Sequence, residues 1–389
     1  MKLSNSAVWV IITSAKLTAM TGSIVVPVIN FMRDEFGVDP ASAGFIVTVH
    51  ALFAALFYTY FANRVQTIGM KKMLVTGLLF YGVCGGSGLL IQSYSLLLMT
   101  RALLGIALAA VYVSTTAILN LYTEEEVENL RGLRGSSTAF GSINWPVIGG
   151  FLGVFSWHYP FALYFLGIPL ALLIMRVVPE IDIRENENKN ENKNENKEIR
   201  ENVDPVSRIR LMIYGIIVLE NILLFTILIF VPPLLEKMNI SYFSVLSPFY
   251  IGFLIIFMMI SSVLGSSLFP KTREIPSNVI IVLTLGLWTV AFAALFQGST
   301  LIVVSSLLLF SIGRGLYSPV VGKMIHVFSP DGVTHSHIFR FTGQFLAPLI
   351  FYPVVLFSGV TDVFLAAGIL SGTFLLLYAG ILLKMNFTV

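Results

Sequence analysis

The chain of 389 residues holds one cysteine, Cys84, and little charge: Asp, Glu, Lys and Arg make up 12% of it, against about 25% in a soluble domain. A single thiol excludes an intrachain disulfide and any metal site built of several thiolates. The scarcity of charge excludes an ordinary water-soluble domain, since 56% of the residues are hydrophobic and the mean hydropathy is +0.85. The net charge of +3 is dispersed and forms no basic patch, so no nucleic-acid partner is expected. Strand-like alternation is missing from the apolar stretches, which argues against a barrel. No His-Glu-x-x-His or Gly-x-Ser-x-Gly string occurs, and no acidic pair falls within an apolar run. An enzyme is therefore not expected, nor a cofactor or a metal.

What fills the chain instead is a series of apolar runs long enough to cross a bilayer, which takes about 20 helical residues. Spans are expected near 8–30, 43–62, 73–92, 97–119, 136–156 and 160–178, and again near 209–231, 246–269, 278–297, 300–320, 338–358 and 362–383. Lipid offers no partner to unpaired backbone groups, so each must be helical. Lys2 precedes the first run without a small-residue cleavage pattern, and that run is taken as a retained span. Between the two sets lies DIRENENKNENKNENKEIRENVD, which cannot bury enough apolar surface to offset the entropy of ordering it. The expected division is thus 1–178 and 209–389 as two six-helix bundles, joined by a solvated tether over 179–208.

The basic residues orient this arrangement. With the N-terminus in the cytoplasm, eighteen Lys and Arg fall in inside segments, eight of them between Arg176 and Arg210, and only Arg33 and Lys237 fall outside. Both termini and the tether are then cytoplasmic, in a plasma membrane protein expected to work as a monomer. The halves also look alike. GSINWP at 141–146 and GQFLAP at 343–348 share Gly-x-x-x-x-Pro 202 residues apart, Pro27 and Pro232 lie 205 apart, and the basic loop after the second span has a counterpart in PKTRE after the eighth. A common offset near 200 marks an internal repeat of six spans, one of the plans used by transporters.

Three short patterns then fall on the right spans. The loop after span two, FANRVQTIGMKKML, supplies Arg64, Gly69, Lys71 and Lys72; span four has RALLGIALA with Arg101 and Gly105; span five has GSINWPVIGG with Gly141, Pro146, Gly149 and Gly150. Together they resemble the major facilitator superfamily over essentially the whole chain, and the span-five pattern resembles its drug/proton antiporters. The departures are Asn63 where the family loop has Asp, three extra residues before Gly69, and Trp145 in place of a Gly. The resemblance implies twelve transmembrane helices in two pseudo-symmetric bundles, alternating access, and a part for Arg101 in proton coupling.

Ionisable groups deep in the membrane cost about 2.5–3.5 kcal/mol each on insertion scales, so they face the bundle interior and usually mark a pathway. They are Lys16, His50, Arg101, Glu220 and Arg314. Lys16 and Glu220 lie 204 residues apart, close to the repeat offset, and a Lys16–Glu220 pair across the central cavity is expected. Glu220 is the only carboxylate well inside a span and hence the coupling candidate; a static pair that fixes helix register is the plainer alternative. His50 titrates in a useful range or is simply hydrogen-bonded structure. Arg314, flanked by Gly313 and Gly315, is expected to reach a cavity and bind an anionic group, or else to snorkel. The aromatic stretches FYTYF and FYPVVLF are read as lipid contacts or packing and not as a substrate cage, Glu124, Glu125, Glu126 and Glu128 as a solvated loop, and NIS at 239–241 as a chance sequon. The leading function is proton-coupled efflux of small amphipathic compounds. Uptake of an organic anion, and a membrane sensor without transport, are the alternatives.

Overall fold

The computed structural model describes residues 4–121, 124–180, 205–238, 243–272, 274–328 and 332–385; the central Asn-Glu-Lys stretch and the sequon fall outside them. Twelve helical segments are present among the described residues: α1 (Asn5–Phe36, interrupted), α2 (Pro40–Ile68), α3 (Met70–Leu89), α4 (Tyr94–Leu119), α5 (Glu124–Phe155), α6 (Tyr159–Val177), α7 (Pro205–Lys237), α8 (Phe243–Leu268), α9 (Ser277–Leu295), α10 (Thr300–Phe328), α11 (Gly332–Phe357) and α12 (Val360–Met385). Eleven contain an apolar stretch long enough to span a bilayer, and the apolar part of α5 is the shorter Phe140–Phe155. Among the described residues there is no strand. Large apolar side chains such as Phe80, Leu90, Leu301, Leu376 and Leu383 stand exposed around the outside, as a lipid-facing belt requires.

The connections are short because local signals end one helix and start the next. Gly37 closes α1 in the left-handed region at φ +61°, its N–H bonding to the carbonyls of Arg33 and Asp34. Asp39 then caps α2 by accepting from the N–H groups of Ala41 and Ser42, with Pro40 at the first helical position. Gly69, the glycine of the basic loop, separates α2 from α3 at φ +93°, a conformation that a Cβ would strain. That fixes why a glycine stands there independently of any gating role for Arg64, Lys71 and Lys72. Arg64 lies over the Tyr60 ring and Lys71 pairs at 3.4 Å with Glu180 beside the tether.

Two boundaries differ from the sequence expectation. The fifth helix begins at Glu124, not near 136, because the polar run from 124 to 135 continues the same helix beyond the apolar part. The acidic stretch read as a loop is therefore helical. The seventh begins at Pro205, a good first residue of a helix, inside the expected tether.

Helix α1 is broken where it passes the centre. Ala19 interrupts it, and Val26–Val28 forms a 3-10 turn in which Pro27 has no N–H to give. The carbonyls at the break take partners from neighbouring helices: the Trp145 indole N–H donates to Lys16 O at 2.9 Å, the Tyr81 hydroxyl to Leu17 O at 2.6 Å, and the Tyr164 hydroxyl to Thr21 O at 2.6 Å. Trp145, the departure from the antiporter pattern, thus serves the broken helix. Replacing Trp145 with Phe keeps an aromatic ring and loses the bond; unfolding measured in detergent is expected to show a loss of about 1–2 kcal/mol, the cost of leaving a buried carbonyl unpaired.

Helices α1–α6 pack among themselves, as do α7–α12, and the two sets meet mainly along α5 with α8 and α2 with α11. The internal repeat is visible in atomic contacts. A Cβ at Gly141 would lie 2.9 Å from Lys16 O, and one at Gly343 2.5 Å from Val218 O; both residues of the second contact are displaced by 202 from those of the first. The repeated prolines also match. Pro348 of α11 touches Gly44 of α2, and Pro146 of α5 touches Gly252 of α8. In each seam a glycine of one half lets in a kinked helix of the other.

Candidate functional site

Glu220 lies midway along α7, the most enclosed helix of the structure, and is 1% exposed. Its two oxygens have separate partners. Arg314 of α10 donates from Nε to Oε1 at 2.5 Å, and Asn221 donates from Nδ2 to Oε2 at 2.6 Å. Asn221 is itself held, its amide also donating to the Ile217 carbonyl one turn back. Glu220 is the one buried carboxylate among the described residues. A buried carboxylate is costly unless its oxygens are partnered, and here both are, from two helices.

The expected partner was Lys16, and the structure corrects this. The Lys16 ammonium sits 4.6 Å from the centroid of the Phe140 ring and 5.7 Å from that of Trp145, in cation–π contact, with no ion pair among the described residues. The physical reason is the fold of the first half: Gly141 and Trp145 draw α5 onto the Lys16 backbone, which places its side chain against α5. Repeat position alone misassigned the pair.

The other expected residues are placed as follows. Arg101 is completely buried, donating from Nη2 to Gly85 O at 2.8 Å, with its guanidinium 4.7 Å from both the Phe161 and Tyr164 rings. Its Nε and Nη1 have no hydrogen-bond partner, nor has His50 Nδ1. This is the backbone-bonded arrangement that the sequence left open beside the coupling role. Gly105 gives α4 its close approach to α2: a Cβ there would meet the His50 carbonyl oxygen at 2.1 Å. The Arg-x-x-x-Gly spacing therefore seats an arginine and a helix crossing together. Gly313 and Gly315 do not make room for Arg314, contrary to expectation. Gly313 faces the Trp288 indole, while Gly315 lies against Ser262 O and its own carbonyl accepts from the Ser266 hydroxyl. Both serve packing, and the guanidinium reaches Glu220 on the remaining face.

Four further residues were missed in the sequence because they sit at or beyond expected span ends or carry no formal charge. Tyr317, one turn after Arg314, has a buried hydroxyl without a hydrogen-bond partner and lies in the field of Glu220, Arg314 and Arg340. Arg340 and His337 share one face of α11 by their spacing, and Arg134 sits on the polar extension of α5, donating to the Thr116 hydroxyl at 2.7 Å. The usable signal was the spacing His337, Arg340, Phe341, a helical stripe across an expected boundary. Further along α7, from Ile227 on and away from Glu220, Val26, Ile227, Ile251, Met258 and Leu307 line an apolar crevice between α1, α7, α8 and α10.

The family model for the Major Facilitator Superfamily matches residues 11–352. The chain belongs to that superfamily. It is accordingly a multi-pass integral membrane protein. Among curated relatives, it is 26% identical over 163 residues to the inner membrane transport protein YnfM of Escherichia coli, covering 40% of this chain and 38% of that protein. It is 26% identical over 188 residues to multidrug resistance protein 1 of Bacillus subtilis, covering 48% of this chain and 47% of that protein. The chain thus spans less than half the length of each relative. Among solved structures, a mutant form of the nucleoside transporter NupG superposes with a TM-score of 0.75 at 13% identity, over 97% of this chain and 99% of that one. A D-xylose–proton symporter superposes with a TM-score of 0.72 at 12% identity, over 95% and 96%. At such identities the likeness is one of fold.

Proposed function

We propose that this major facilitator protein exports small amphipathic organic compounds by alternating access, driven by protons, with residues 1–178 and 209–389 rocking as two halves and 179–208 serving as slack between them. The observation that carries the proton part is the buried Glu220–Arg314 pair at the centre of the second half. Protonating Glu220 removes the charge that holds Arg314 and leaves the guanidinium to find another partner, so one proton changes the relative stability of two helix arrangements. The apolar crevice further along α7 suits the apolar part of a substrate. Export is supported by the names of relatives such as multidrug resistance protein 1 and the multidrug efflux pump LfrA of Mycolicibacterium smegmatis. We place the protein in the plasma membrane as a functional monomer, with both termini and the tether in the cytoplasm.

A second reading, proton-linked uptake of an organic anion, is favoured by the excess of cations: Arg314 and Arg340 both bear on the region around the single buried carboxylate found among the described residues. The sign of coupling separates the two. A solute that competes with the proton at Glu220 is exchanged for it, whereas an anion is bound more tightly once Glu220 is neutral and travels with it. Purified protein in liposomes under an imposed pH gradient, with a panel of organic cations and anions, reads this directly. Wild-type protein is expected to move solute against its own gradient, and Glu220→Gln to lose at least about tenfold of that driven flux, as removal of about 1.4 kcal/mol of coupling would. Undiminished driven flux in the Gln variant would remove Glu220 from the mechanism.

A further inference from the structure

Near the tether end, one side chain of the second half stands between two rings of the first. His337 lies five residues into α11. Tyr58 of α2 stacks on its ring with centroids 6.0 Å apart and planes 25° apart, and Tyr112 of α4 meets it at 5.3 Å and 48°. Phe341, one turn further along α11, packs edge-on against the same Tyr112 at 5.7 Å. Tyr58 is nearly inaccessible, at 2% exposed.

Among the described residues, two cations bear on this plug. The Arg134 guanidinium of α5 lies over the Tyr112 ring at 5.4 Å, fixed by its bond to Thr116, and Arg340 lies one turn from His337 on α11. Both bear electrostatically on His337. The groups facing the ring are thus Tyr58, Tyr112, Arg134 and Arg340, two aromatic faces and two cations. Such a slot accepts a flat, uncharged ring.

We propose that His337 is the gate at the tether end: an aromatic plug that holds α11 against α2 and α4, and whose withdrawal opens the central space on that side. The inference rests on the alternating-access reading. A gate must hold and also yield. One aromatic pair shifts an equilibrium by a factor of about 2 to 12, so two pairs on one ring bias a two-state transition without locking it. The opposite end is closed differently, by backbone-close contacts of Gly150 with Pro248 and an ion pair of Arg33 with Glu236 at 3.0 Å. There the helices meet backbone to backbone; at the tether end a ring stands between them.

The test uses two reporter positions exposed at the tether end, Lys72→Cys in the first half and Lys323→Cys in the second. Both are placed in a Cys84→Ser background, spin-labelled, and read by double electron–electron resonance in lipid nanodiscs. His337→Ala is expected to raise the long-distance population about fivefold or more. His337→Lys should raise it further, because the new cation meets Arg134 and Arg340. His337→Phe should retain the wild-type distribution, which separates a ring-dependent gate from a general loss of folding. An Ala variant with the wild-type distribution, or a Phe variant that opens as the Ala variant does, overturns the gate. Liposome flux on the same proteins tells this failure from that of the transport reading. A wild type that moves no solute removes the transport reading, while distances that ignore position 337 in a protein that does move solute remove only the gate.

Discussion

Arg314→Ala is expected to destabilise the protein by about 3 kcal/mol and to abolish driven transport. The size follows from what is left behind. Breaking a buried ion pair by removing one partner typically costs about 3–5 kcal/mol, because the remaining charge stays buried without compensation. Arg314 is itself a quarter exposed while Glu220 is 1% exposed, so the lower end of that range applies. The expectation becomes sharp in combination. In a Glu220→Gln background there is no charge to strand, and Arg314→Ala should then cost no more than about 1 kcal/mol, the worth of one ordinary hydrogen bond. A double-mutant cycle read by denaturant unfolding in detergent would therefore give a coupling of about 2 kcal/mol, within the span for residues in one ion-pair network. Equal costs in the two backgrounds would mean that Arg314 packs beside Glu220 without compensating it.

The same pair shows where sequence reasoning succeeded and where it stopped. The fold was legible because membrane insertion imposes its own accounting: apolar runs of fixed length, basic loops alternating in side, and an offset near 200 leave little freedom. That Glu220 and Arg314 would turn into the bundle was legible for the same reason, since charged residues are rare inside spans. Their pairing was not legible. It depends on the rotation of α10 about its axis, which is set by Gly313 against Trp288 and Gly315 against Ser262, contacts between helices that no periodicity encodes. Lys16 failed as partner for the converse reason, because the break in α1 and its bonding to Trp145 turned that position toward α5. His337 and Arg340 stayed hidden because hydropathy ended the eleventh span at their position, although the helix runs on to Gly332.

Gly149 and Gly150 offer the second large effect, and as neighbours they separate stability from conformational balance. An alanine Cβ at Gly149 would lie 2.1 Å from the Ile24 carbonyl oxygen of α1, within the same half; at Gly150 it would lie 2.4 Å from the Pro248 carbonyl oxygen of α8, across the seam between halves. Real side chains do not approach backbone that closely, so a helix must move in each case. In Gly149→Ala the helix that must move is α1 at its broken turn, which Gly153 also holds through Val28. No alternative packing of the first half is on hand, and a loss of about 2–3 kcal/mol is expected, as for other overpacked interiors. In Gly150→Ala the clash is relieved by parting α5 from α8, a movement that alternating access already requires. The thermal midpoint of this variant should stay close to wild type while the end opposite the tether stands open. Spin labels at Glu35→Cys and Lys237→Cys, both exposed at that end, would then report longer distances. The Gly149 variant should show the reverse: a lowered midpoint with unchanged distances. If both variants lose stability alike, α5 and α8 form a permanent contact, and the seam at that end does not open in the way that rocking halves demand.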